Sequence, residues 1–396
     1  MSLTQEQIDI LADKYIVGLF KDLEREVIGD IARRVKKCER YTETAEIMAK
    51  HMKELGYTPS EIQSEVLKLL RADKEFQEFI AQNTLEYKQF VKSEIEKTVR
   101  EAKKQGNKLV AEAGQMSYED DLSMWAAAGQ DLTVPNNMSQ IIEAFQKQTN
   151  QQLRNLTRTT GFKGTVLEPC SQIFTKELDR AVVKVATGTF SYDQAVKDCI
   201  RSLAQSGLRT IDYASGRSYQ LDTASRMTVR TCLGQLSGRI TESNVEKSGV
   251  DLVITSQHVG SRPEHAEWQN KVFSYDGKSK KYPDFRKETG YGTVTGLKGA
   301  NCSHEFYPFW EGISGIPEDI KEPDPVEVDG KTYTYYEATQ KQRQMERSIR
   351  ADKRERDALK SIGEDTSEIN ARIRSKSADY HKFSNDVGIR AKDNRL

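Results

Sequence analysis

SQHVGSRPEHAEWQNKVFSYDG, Ser256–Gly277, decides how this chain is read. It carries two histidines seven residues apart, a proline and a tryptophan, and it follows the short apolar run VDLVIT at 250–255. β-Branched and aromatic content predicts strands at VDLVITS (250–256), KVFSY (271–275) and HEFYPFW (304–310), with KTYTYY (331–336) as a further candidate. Six of nine prolines, nine of 25 glycines, two of three tryptophans and three of five histidines lie between Gly249 and Pro325. Such a texture predicts a compact α/β (α+β) module over 249–336, with a long Gly-containing loop at about 276–300.

Upstream the texture differs. Residues 1–248 read as an extended helical region, with a break near 130–170 that would divide it into two sub-bundles. TPSEI (58–62) is a helix start, with Thr58 as N-cap, Pro59 at the first helical position and Glu61 closing a capping box. Thr4 with Gln7 and Ser191 with Gln194 repeat the signal. Ile62, Val66, Leu69 and Leu70, continued by Phe76, Phe79 and Ile80, are expected on one buried face. GYTP, GQDLTVPNN and Gly161–Pro169 mark turns between helical groups. Downstream, 337–396 is a charged helical tail with 15 basic and 11 acidic residues. Its apolar content is thin, Met345 and Ile349 on the first helix, and a second helix falls at roughly 366–384. A solvated charged hairpin is the simplest reading of it. The fold class is therefore mainly α, with one smaller mixed module.

Composition narrows the function classes. Of 396 residues 36% are apolar and 30% charged, and 60 basic side chains balance 60 acidic ones. A neutral chain of this kind does not advertise a nucleic-acid or membrane-surface binder. No apolar run approaches the ~20 residues of a membrane span, and the N-terminal residues show no leader pattern. The five cysteines, at 38, 170, 199, 232 and 302, lack CxxC pairing, so a reducing compartment and free thiols are expected.

Five residue groups can carry chemistry. His258, His265, Cys302 and His304 are candidate zinc ligands by type, though the seven-residue His spacing fits no familiar ligand pattern. Cys302 with His265 or His304 has the composition of a thiol nucleophile and base. His258 and His265 with Arg262 could hold a phosphate and shuttle protons, as in a metal-free nuclease or nucleotide transferase. Buried packing and hydrogen bonding is the structural alternative for all of them. GYGTVTGLKG (290–299) is read as a loop requiring positive φ at several points, with Lys298 as a conceivable phosphate contact. In 201–239 six arginines face two aspartates; Arg209, Arg217, Arg226 and Arg230 are candidate nucleic-acid contacts if they line one side of a long helix. Pairing with acidic neighbouring helices is the alternative. No cofactor is assigned.

HVGSRPEHAEWQNKVF (258–273) followed by TGYGTVTGLKGANCSHEFYPF (289–309) resembles the phage minor capsid protein family, of the minor capsid protein 2 type, related to MuF-like head-morphogenesis proteins. QKQRQMERSIR (340–350) is similar to the tail of that subgroup. Where MuF-like members carry C-x-C, this chain has Cys302-Ser303-His304. The resemblance implies a structural virion component made in the bacterial host cytoplasm, present in few copies or as an oligomer at the capsid interior or portal vertex. Its implied partners are the portal protein and other head proteins, with possible contact to packaged DNA and no membrane. It would act in head assembly or in genome packaging and delivery. It also implies that Pro263, Trp268, Phe273, Asn301 and Phe306 set turns and pack the small sheet, and that the His/Cys group is internal stitching rather than a catalytic set. Against this stand two alternatives: a nuclease or nucleotide transferase at 249–326 delivered with the genome, and a zinc-stabilised binding module.

Overall fold

The computed structural model describes residues 4–162, 168–186, 191–211 and 216–396. Helix α1 (Gln5–Ala12), a π-helical turn (Asp13–Val17) and α2 (Gly18–Lys37) run on without a break. Then come α3 (Glu39–Glu54), α4 (Pro59–Ala72), the 54-residue α5 (Lys74–Ala127) and α6 (Met138–Arg158). Strands β1 (Gly161–Phe162) and β2 (Glu168–Pro169) precede α7 (Ile173–Ala186) and α8 (Tyr192–Ser206). Strands β3 (Arg209–Ile211) and β4 (Ser218–Gln220) lead into α9 (Leu221–Ser248). The mixed part holds β5 (Leu252–Thr255), α10 (Pro263–Ala266), β6 (Val272–Ser274), α11 (Phe285–Thr289) and β7 (Phe306–Pro308). A hairpin of β8 (Val326–Val328) and β9 (Lys331–Tyr333) precedes α12 (Tyr335–Ser361) and α13 (Ser367–Asp386). The protein is mainly helical with small antiparallel sheets.

Local chemistry starts these helices where the sequence says it should. Thr4/Gln7 and Thr58/Glu61 form reciprocal capping boxes, and Ser191 accepts from the backbone N–H of Gln194. Thr334 with Glu337 forms a third box, which turns KTYTYY from strand to helix midway: β9 ends at Tyr333 and α12 begins at Tyr335. Asp73 caps α5, which then continues without proline for about 80 Å at 1.5 Å per residue. Gly106 and Gly114 let α6 come close; a Cβ at either would lie 3.1 Å from Asn150 or Ile142.

Several expectations need correction. The region 1–248 is not helical throughout: β2-β1-β3-β4 form an antiparallel four-stranded sheet within it. Strands of two or three residues carry no readable alternation, so only tertiary pairing defines them. The presumed turn at Gly161–Pro169 is bounded by the paired strands β1 and β2, and its centre, 163–167, lies outside the described residues. Leu69 is 38% exposed although Ile62, Val66 and Leu70 on the same helix are buried. Finally, the loop at 276–300 contains α11, capped by Asp284.

The charged tail also departs from a solvated hairpin. One apolar cluster runs from Ile8 on α1 through α2, α5, α8 and α9 to Ile349, Leu359, Ile373 and Tyr380 on α12 and α13. Helix α12 packs on α2 and α8 as well as on α13, and it buries Glu346, Asp352, Arg354 and Glu355. These charges are paired. Arg354 lies 3.6 Å from Glu24 of α2 and donates from Nε to the Ala204 carbonyl at 2.7 Å. Glu24 also accepts from the Leu208 N–H at 2.6 Å. Arg350 reaches Asp222 at 3.2 Å, and Tyr380 donates to Glu346 at 3.2 Å. At the other end Asp9 of α1 meets Arg395 at 2.9 Å and Arg230 at 3.4 Å.

The mixed module has its own core. Its sheet runs β6-β5-β7, with Val253 opposite both Phe273 and Pro308. Trp268, Phe273, Phe285, Leu297 and Phe306 pack together with Trp125 from the end of α5 and Val245 of α9. Asp121 of α5 accepts from Asn244 at 2.7 Å and from Thr241 at 3.1 Å on α9. Burial outweighs these bonds and pushes its carboxyl up to about 7. The segment 290–299 is a tight crossing of backbone over backbone. Gly290 and Gly292 take positive φ, but Gly296 and Gly299 serve for space: a Cβ there would stand 2.1 Å from the Gly290 oxygen and 2.3 Å from the Val294 oxygen.

Three outcomes test this account. Arg354→Ala strands Glu24 in the interior and should cost about 3–5 kcal/mol by chemical denaturation; replacing both by Glu24→Leu and Arg354→Met should recover part of that loss. Gly296→Ala should destabilise by roughly 3–5 kcal/mol because the obstacle is backbone, whereas Gly292→Ala, facing open space, should cost about 1–2 kcal/mol for its positive φ alone. A carboxyl whose pKa rises on folding holds its proton more tightly in the native state. The Asp121 contribution should therefore fall as pH rises from its unfolded value of about 4 to about 7, then level off. Measured from pH 5 to 8, wild type should lose up to ~1.4 kcal/mol per pH unit relative to Asp121→Asn below pH 7, and nothing further above it.

Candidate functional site

The end of β5, helix α10 and the approach to β7 bring four of the five predicted side chains into one cluster. Arg262 precedes α10 and Pro263 opens it, which turns His265 inward to 3% exposure. Its Nε2 lies 2.8 Å from the Thr295 carbonyl oxygen and its ring 4.8 Å from that of Trp268. His304, 1% exposed, has Nε2 3.0 Å from Oε1 of Gln269. Cys302 sits between them, with Sγ 3.8 Å from His265 Nδ1 and 3.7 Å from His304 Nδ1. His258 stacks on His304 at 4.2 Å between ring centres, and its Nδ1 is 3.1 Å from the Val259 oxygen. Arg262 turns away from the rings and donates to the Ala300 carbonyl at 2.7 Å.

These contacts determine protonation. A backbone carbonyl only accepts, so His265 Nε2 carries the proton. The Gln269 Oε1 accepts from the His258 N–H at 3.3 Å, which fixes the orientation of that amide and makes His304 Nε2 a donor too. In the neutral tautomers this leaves both Nδ1 lone pairs turned toward Cys302. Burial, then His258 and His265, hold the His304 imidazole neutral by lowering its pKa to about 3. Burial pushes the Cys302 thiol up, although the backbone N–H groups of His304 and Lys298 oppose it. A raised thiol is the reverse of what a Cys–His nucleophile needs. Two clefts open to the surface, of about 270 Å³ near Glu24 and Arg354 and about 190 Å³ near Trp125 and Trp310, include none of the five candidates.

Lys298, read as a conceivable phosphate contact, is buried and ion-paired with Glu305. Burial raises the Glu305 carboxyl, with Lys298 opposing. The Lys298 stem lies over Gly238 of α9, where a Cβ would come within 3.1 Å of it. Gln269 and the Thr295 carbonyl escaped sequence reasoning. An uncharged amide and a main-chain oxygen carry no compositional signal, and only their placement beside the rings reveals them.

The arginines of 201–239 do not share one helix face. Arg209 lies on β3 and ties it to β4 through Ser218, at 3.0 Å to the hydroxyl and 2.7 Å to the carbonyl. Arg217 is exposed in the segment before β4. Arg226 and Arg230, both on α9, pair with Asp13 and Asp9 of the N-terminal helix, and Arg230 also reaches the Ser303 hydroxyl at 3.4 Å.

Comparison with known proteins agrees with the motif at 258–309. A structural protein of Lactococcus phage LL-H is 23% identical over 303 residues, covering 72% of this chain and 80% of that protein. No solved structure matches the chain. The family described as phage minor capsid protein 2 matches residues 3–385, from the first capped helix through α13. That match takes in the helical body, the mixed module and the charged tail alike, and the chain belongs to the phage minor capsid protein 2 family.

Proposed function

We propose that this chain is a few-copy structural component of the phage head, bound to the portal protein or to neighbouring head proteins at the portal vertex or inner capsid surface. There it contributes to head assembly or to genome packaging and delivery. The observation that carries this reading is the concentration of exposed large apolar side chains on three successive helices: Ile47 and Leu55 on and just after α3, Tyr57 in the following turn, Leu69 on α4 and Leu85 on α5. Single exposed apolar residues are ordinary. Five within one helical stretch of a chain only 36% apolar suit a surface that a partner covers.

Other features fit the same role. Charge balance at 60 basic and 60 acidic residues keeps such a protein from being captured by DNA phosphates before assembly. Helix α5 is long enough to reach more than one neighbour in a shell. Among the described residues no helix is long and apolar enough to cross a membrane. Coexpression with the portal protein of the same phage tests the proposal. The two should co-purify, and Ile47→Asp combined with Leu55→Asp should abolish co-purification while leaving the helical circular dichroism intact. If the chain ignores the portal protein and is missing from purified heads, the reading is wrong.

A further inference from the structure

The three ligand atoms His265 Nδ1, Cys302 Sγ and His304 Nδ1 all lie within 4.8 Å of one another. Zinc holds sulfur at about 2.3 Å and imidazole nitrogen at about 2.0–2.1 Å, and tetrahedral angles then set S···N separations of ~3.6 Å. The observed separations are 3.8 and 3.7 Å. We propose that His265, Cys302 and His304 form a binding site for one zinc ion, or a divalent transition metal of similar softness, with a fourth position open to water. Ligand type and both S···N spacings fit, and so does the surrounding shell; the two imidazole nitrogens, within 4.8 Å of each other, would close toward the ~3.4 Å of a tetrahedral ion on binding.

A metal-bound imidazole needs its other nitrogen protonated and held by an acceptor. Both rings meet that condition, through the Thr295 carbonyl and the Gln269 amide oxygen. Neutral imidazoles bind without losing a proton. The Cys302 thiol binds as thiolate: the S–H bond breaks, the proton leaves to solvent and the sulfur–metal bond forms, with no change of oxidation state. Without a metal the single thiol proton can serve only one of the two Nδ1 atoms that face it. Arg262 and Lys298 keep clear of the metal position, bonded to Ala300 and Glu305 respectively. His258, stacked on His304, shields one side of the cluster. A bound ion would pin α10 to the strand entry at β7, closing the module across the chain between residues 265 and 302.

Elemental analysis of the full chain, purified from zinc-supplemented cells, should give about one equivalent of zinc. Replacement by Co²⁺ should give the intense d–d bands of a tetrahedral ion and a thiolate-to-cobalt charge-transfer absorption. Cys302→Ser should remove the charge-transfer band. Gln269→Ala, which touches no metal, should weaken binding by about 10–100-fold in chelator competition. Metal content below about a tenth of an equivalent together with no thiolate–cobalt band in wild type would overturn the proposal, whether or not the variants fold. An unchanged band in Cys302→Ser would overturn it equally. Neither readout depends on where in the virion the chain sits, so this site and the structural role stand or fall separately.

Discussion

Helix α12 meets α2 at a buried ion pair, Glu24 with Arg354, which any packing of these helices must keep matched. A chain with 36% apolar residues cannot line every helix interface with aliphatic side chains. Where α2, α8 and α12 meet, it uses charge instead, and a charge taken out of water must be paired and hydrogen-bonded to be tolerated. Burial raises the Glu24 carboxyl against the pull of Arg354. Asp222, also buried, is nonetheless held below the usual carboxylate range by Arg350, Arg354 and Lys21. One carboxylate strains against its surroundings and the next is secured by them. Such pairs stabilise less than well-packed aliphatics, but they tolerate few alternative alignments, since a slipped helix would leave each charge without its partner.

Helix α9 joins the two regimes. On one side Arg226 and Arg230 reach back to Asp13 and Asp9, which binds it to the first helical segment and, through Arg395, to the end of the chain. On the other it supplies Val245 to the module core, Gly238 to the Lys298 stem and Ser237 to Glu305 at 3.3 Å. The contact from Arg230 to Ser303 ties the helical charge network to the neighbourhood of Cys302 and His304. The mixed module is thus embedded in the helical body, sharing Trp125, whose indole donates to Ser248 at 3.0 Å and meets the Trp310 ring edge-on at 5.4 Å.

Legibility in the sequence followed the range of the interactions concerned. Helix starts were readable because a cap is a contact over three residues, as at Thr4, Thr58 and Ser191. The module strands were readable from β-branched and aromatic runs, and each of the three is shorter than its predicted run. The sheet β2-β1-β3-β4 was not, because its strands are defined by partners up to fifty residues away and not by any pattern of their own. Leu69 looked like core because periodicity predicts a face but not its width.

From the residues alone came the predominance of helix, the strands that follow residue 249, the His and Cys residues worth attention and the family resemblance. All of these depend on composition, short-range spacing or motif. Tertiary structure alone decided that the charged tail packs one face into the shared core, that Arg226 and Arg230 pair with acidic residues of the first helical segment while Arg209 ties β3 to β4, and that His265, Cys302 and His304 converge with both Nδ1 atoms toward the sulfur. The reason is physical: a charge or an imidazole reads the same in sequence whether it faces water or a partner, and only the packing of distant segments settles which.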